Sequence, residues 1–169
     1  IVAAYFWSGA IDAICYAAYM IINFCVYNAF TDEKFGGNPA GVVFCDVPLS
    51  DLLMQKIARQ LNLVETVFIK LSDHKQINIR YFTPQKELPI AGHPTIAGIM
   101  AMYQEGRIDC GRYQLITAAG TVAVDVDAEM VWMQQIKPKF YPLSDDQKIQ
   151  FSNALGFDAA ALDHEFGMM

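Results

Sequence analysis

The sequence predicts an α+β domain built on a mixed or antiparallel sheet. Two observations carry this: β-rich runs outnumber helical ones, and strands do not alternate strictly with helices as a doubly wound sheet would require. A third sets the scale. Of 169 residues, 54% are hydrophobic, above the roughly 45–50% of an ordinary soluble domain, so the chain can bury a large core.

From Met20 the pattern is regular. "MIINFCVYNAF" reads as a strand that ends in the turn cluster "TDEKFGGN", and "PAGVVFCDV" reads as a second strand. A helix follows through Leu61: Ser50 can cap it, Asp51 suits its first turn, and Leu53, Ile57 and Leu61 recur every four residues. Leu49 and Met54 are spaced as a hydrophobic staple. In "VETVFIK" the alternation puts Glu65, Val67 and Ile69 on one strand face, so a carboxylate stands on an otherwise apolar side. "INIRYFT" is a further strand, with Ile77, Ile79 and Tyr81 opposite Asn78 and Arg80. Pro84 and Pro89 bracket a loop. Pro94 suits the first turn of the next helix, with Ile96, Ala97, Met100 and Ala101 as its buried stripe and Gly106 as its end. "YQLITAAGTVAVDV" reads as two strands joined at Ala118–Gly120, "EMVWMQQI" as one more, and Ser144 to Leu155 as a last helix.

Residues 1–19 differ from all of this. Asp12 is the only formal charge between Ile1 and Phe24, and about 20 apolar residues suffice for a membrane span. Flanking Lys or Arg and a basic n-region are missing, however, so neither a membrane anchor nor a signal peptide is expected. The segment is expected to be an extension foreign to the domain and is set aside.

The formal charge of −6, with 12 Lys and Arg spread along the chain, argues against nucleic acid as a partner, because phosphate binding needs a concentrated basic face. Cys15, Cys25, Cys45 and Cys110 form no C-x-x-C pair. They are expected to be reduced, mostly buried thiols in a cytoplasmic protein, and no metal site is expected.

Two residues stand out chemically. His93 lies between Gly92 and Pro94 at the expected start of a helix, where unpaired N–H groups and the helix dipole favour an anion. Gly92 would let a ligand approach the backbone. Equally, His93 could cap the helix or be a satisfied core histidine. Glu65 is an unfavourable strand residue; set among apolar groups it could take and give a proton, or it could face solvent or pair with Arg80. Other features are weaker. "FGGNPAG" leads into a strand, so it reads as a turn with close backbone approach instead of a phosphate loop. Asp125 and Asp127 share a strand face as metal ligands could, but a solvated face is the better reading. His74 and His164 fall in polar turns.

Three segments together, "NAFTDEKFGGNPAGVV" (28–43), "VETVFI" (64–69) and "IRYFTPQKELPIAGHPTIAG" (79–98), resemble the N-terminal half of the phenazine-biosynthesis PhzF-like family, in the family's order and spacing. The resemblance implies a diaminopimelate epimerase-like lobe: a curved mixed β-sheet wrapped around a central helix, with the active site between two such lobes. It implies a cofactor-independent isomerase that moves a proton at carbon on a small carboxylic acid, characterised on a dihydro-hydroxyanthranilate. Glu65 would then be the acid/base, and Gly92 and His93 would hold the substrate; a homodimer is also expected. Residues 20–157 correspond to the N-terminal domain and 158–169 to the start of a crossover toward a second one. Family members are nearly twice this length, and their second half carries a "D-P-x-T-G-S" type motif that nothing here matches. The chain is therefore expected to be one lobe of such an enzyme, the alternative being a non-catalytic binding or dimerising module.

Overall fold

The computed structural model describes residues 22–73, 75–138 and 141–158. The expectations for residues 1–19, His74, His164 and most of 158–169 lie outside these. The described residues divide after Gln135 into two units.

The first unit carries eight strands and two helices: β1 (Phe24–Ala29), β2 (Asn38–Phe44), α1 (Asp51–Leu61), β3 (Glu65–Asp73), β4 (Gln76–Phe82), β5 (Glu87–Leu88), α2 (Gly92–Gln104), β6 (Gly111–Thr117), β7 (Gly120–Val126) and β8 (Val131–Met133). They form one mixed sheet in the order β1-β2-β3-β4-β6-β7-β8, with β5 pairing β4. The β2–β3 and β4–β6 pairs are parallel and the others antiparallel. α2 touches β1 and β2 at one end of the order and β7 and β8 at the other. A sheet whose two ends reach one helix must curl around it, and this is the curved mixed sheet around a central helix that the resemblance implies.

The two faces of the curl hold different cores. On the concave side Val67, Ile69, Ile77, Ile79, Tyr81, Leu115 and Val124 pack with Ile99, Ala101 and Met102 of α2. On the convex side α1 lays Met54 and Ala58 against Val43, Cys45, Phe68 and Phe82. Ser50 caps α1 as expected, its hydroxyl accepting from the Leu53 N–H at 3.3 Å, and Leu49 packs against the cluster that holds Met54. The buried line of α1 runs through Met54 and Ala58, with Leu53, Ile57 and Leu61 at its margins.

Several details differ from the sequence reading. α2 begins at Gly92, ahead of Pro94, and its burial is broader than the expected stripe: Ala97 and Ala101 are buried as expected and Ile96 and Met100 only half-buried, while Pro94, Thr95, Gly98, Ile99 and Met102 are buried as well, because the sheet surrounds it. Thr83 closes a tight turn with Lys86 and returns the loop to pair β5 with β4. Cys45 is buried, Cys25 is half-buried and Cys110 is exposed, which corrects the expectation for Cys110. Asp125 of β7 pairs with Arg112 at 3.4 Å, while Asp127 turns its Oδ1 to the Glu129 and Met130 N–H groups; the two do not act as a pair. The "FGGNPAG" turn is indeed a close approach. Gly37 has φ 64°, and a Cβ there would strike the Ala29 carbonyl.

The second unit holds α3 (Asp145–Leu155). Ser144 and Gln147 form a full capping box at its start, and Gly156, in the left-handed region, ends it.

Candidate active site

Glu65 opens β3, opposite Ala40 of the parallel β2, and Thr66 beside it pairs with Phe82 of β4. Alternation sends the Glu65 side chain to the concave side with Val67 and Ile69. The competing partner, Arg80, is engaged elsewhere: it holds Asp51 at 2.6 Å and both carboxylate oxygens of Glu87 at 2.7 and 2.8 Å. What meets Glu65 is the histidine at the start of α2.

His93 Nδ1 lies 3.5 Å from Glu65 Oε2, with the two side chains 16% and 15% exposed. The pair is close enough to attract when the imidazole is charged, yet it is not aligned as a hydrogen bond. Glu65 Oε2 and His93 Nε2 are both buried and lack a hydrogen-bond partner. Buried polar atoms are nearly always satisfied, and a buried orphan costs about 1–3 kcal/mol. One orphan is the Glu65 oxygen that faces His93 Nδ1 and the other is the second ring nitrogen of His93, so both partners of the contact keep a polar atom free for something else.

The helix start repeats the theme. α1 and α3 have serine caps, whereas Ala91 at the N-cap of α2 offers no side-chain acceptor and the first turn holds no acidic residue. The positive end of α2 therefore stands open beside Glu65 and His93. A Cβ on Gly92 would meet nothing within 4 Å, so the backbone is approachable there. The three residues singled out in the sequence are thus neighbours: Gly92 and His93 are the first two residues of α2, and His93 reaches Glu65. Two grooves of the first unit, of about 350 and 450 Å³, are lined by other residues.

The sequence reading missed two groups beside this site. Tyr81 and Thr95 are fully buried, with the Tyr81 hydroxyl 2.6 Å from Thr95 Oγ1, which in turn donates to the Ala91 carbonyl at 2.6 Å. The available signal was a tyrosine in the inward register of Ile77 and Ile79, since a buried phenol requires a partner. Burial is the main reason that Tyr81 is pushed up to about 12, and the nearby charge of Glu65 adds to this. A raised folded value means that the neutral phenol's contribution is complete below pH 10 and is lost as pH rises toward 12. Between pH 9 and pH 11 the wild type should lose about 1.4 kcal/mol more stability in urea than Tyr81→Phe, one pH unit past 10 being worth 1.36 kcal/mol. Equal losses in the two proteins would contradict this.

Residues 27–164 match the model of a family described as phenazine biosynthesis-like protein. The chain belongs to this phenazine biosynthesis-like family. An uncharacterized isomerase of Clostridium acetobutylicum is 42% identical over 127 residues, covering 72% of this chain and 42% of that protein. A PhzF-family phenazine biosynthesis protein of Bacillus anthracis superposes with a TM-score of 0.66 at 32% identity, over 84% of this chain and 49% of the other. A predicted epimerase of Pseudomonas aeruginosa shares the fold, with a TM-score of 0.69 at 24% identity over 83% of this chain and 52% of that one. The chain thus spans about half the length of its phenazine biosynthesis-like relatives. Among the described residues, no helix is long and apolar enough to cross a membrane.

Proposed function

We propose that this chain forms one lobe of a cofactor-independent isomerase that moves a proton at carbon on a small carboxylic acid. The observation that carries the reading is the Glu65–His93 contact, with its two orphaned buried atoms, at the open start of α2. The substrate carboxylate sits on the Gly92 and His93 N–H groups, and His93 Nε2 turns to a polar atom of the substrate. Glu65 removes the proton from a carbon conjugated with the carboxylate; the electron pair passes into the conjugated system, and the proton returns at a different position. Isomerisation is complete with no net change in atoms or electrons. The naming of relatives as isomerases supports the same class of reaction. The groups at the far end of the substrate come from a second lobe.

The seat can be tested on this chain directly. Titrating the ¹⁵N-labelled protein with benzoate should shift the Gly92 and His93 amide signals saturably, with a dissociation constant on the order of 1 mM, equivalent to about −4 kcal/mol. Benzamide, which is uncharged, should not. Equal responses to both probes, or none at these amides, would remove the anion seat.

A further inference from the structure

We propose that Tyr81 and Thr95 are positioning residues, a buried tether that fixes the start of α2 to the sheet and so sets where Gly92 and His93 stand relative to Glu65. This rests on the reading of the site given above.

A helix start is ordinarily held by a capping side chain or by packing around its first residues. α2 lacks the cap, and although Ala91 packs against the core and Pro94 is buried, Gly92 between them is not packed. Ala91 provides no cap, Gly92 has no side chain to pack, and the space beside it is open. Glycine also brings the greatest backbone freedom of any residue. Yet a seat for an anion requires its N–H groups to stay aimed.

The tether supplies a directional constraint that packing alone does not. The Ala91 carbonyl can only accept, so the single hydroxyl hydrogen of Thr95 goes to it, and Tyr81 must therefore donate to Thr95. A threonine that bonds back to the carbonyl four residues earlier is common within helices. Here that carbonyl belongs to the N-cap residue, and a phenol from another element completes the chain. The other end is anchored in the sheet: Tyr81 lies opposite Val67 in the β3–β4 pairing, two residues along β3 from Glu65. A run of two hydrogen bonds thus joins the strand pair that carries Glu65 to the peptide that precedes Gly92 and His93. The Tyr81 and Thr95 side chains are fully buried, so water does not compete for the bond between them, while the bond to the half-buried Ala91 carbonyl is partly shielded.

The test is ¹⁵N relaxation on four proteins: wild type, Tyr81→Phe, Tyr81→Phe/Thr95→Val and Thr95→Ser. The double variant removes both hydroxyls and leaves no orphan, which protects folding. Gly92 and His93 should show order parameters near 0.85 in the wild type and Thr95→Ser, falling toward 0.6 in the other two. Ile99 to Met102 should stay rigid in all four. Benzoate affinity at the Gly92 and His93 amides should fall about fivefold in the double variant and recover in Thr95→Ser. A double variant with a rigid helix start, or a loosened one with wild-type benzoate affinity, would overturn the tether. Failure of the wild type to bind benzoate strikes instead at the anion seat, and the order parameters then decide the tether alone.

Discussion

Glu65→Gln should reduce deuterium uptake from D₂O into the substrate carbon by about 10²–10⁴-fold, the usual contribution of a general base. The measurement is mass gain or loss of the C–H proton signal in a small carboxylic acid turned over by the intact protein that contains this lobe. Glutamine keeps the shape of the side chain beside Ala40 and Thr66, so the strand pairing should survive. The variant should also fold, because glutamine fills the same space and Glu65 Oε2 makes no hydrogen bond that the change would break. Binding provides the control: the benzoate response of Gly92 and His93 should persist, since those contacts come from α2. Uptake within about threefold of wild type would show that Glu65 does not carry the proton. Loss of uptake together with loss of benzoate binding would point to collapse of the site in place of chemistry.

How far the sequence reveals this arrangement depends on whether each signal is local. Ser50, Leu49 and Met54 predict the start of α1 because capping and stapling are settled within a few residues. Ile77, Ile79 and Tyr81 predict the inward face of β4 because alternation is a property of one strand. The burial of α2 does not follow from a stripe rule: a helix enclosed by a curled sheet is buried on most of its circumference, and the run Ile96 to Met102 is apolar throughout apart from Gly98. The two-residue strand β5 is too short to leave a period. For the site, alternation placed Glu65 on the apolar side, but its partner could not be read that way. Arg80 lies on the neighbouring strand and seemed available; only the spatial arrangement shows it spent on Asp51 and Glu87. The family resemblance assigned Glu65 and His93 to one site, which periodicity could not, but their 3.5 Å contact is seen only in the structure. Thr95 carried no signal at all, because its role arises from contact with a side chain on another element.

Gly98 connects the packing of α2 to the site, and Gly98→Val should cost about 3 kcal/mol by urea denaturation. A Cβ at Gly98 would collide with Ile69 Cδ1 and stand 3.0 Å from Val67 Cγ1, both on the inward face of the strand that begins with Glu65. Ile69 and Val67 are fully buried and branched at Cβ, so they have little room to yield. Overpacking of this kind typically costs 1–3 kcal/mol. Gly98→Ala should be milder, about 1 kcal/mol net, because alanine gains about 1 kcal/mol over glycine within a helix and offsets part of the clash. Ile69→Val removes the colliding Cδ1. The Gly98→Ala/Ile69→Val double variant should therefore be more stable than the sum of its single changes by at least about 0.5 kcal/mol, the mark of contacting residues. The same displacement should reach the site: Gly98 lies on the helix that presents His93, so backing α2 away from β3 widens the His93–Glu65 contact. Gly98→Ala should weaken benzoate binding at Gly92 and His93, and Ile69→Val should restore it in the double variant. A Gly98→Val protein within 1 kcal/mol of wild type would mean that α2 has slack against β3, and the 3.5 Å contact would then be set by the Tyr81–Thr95 tether alone.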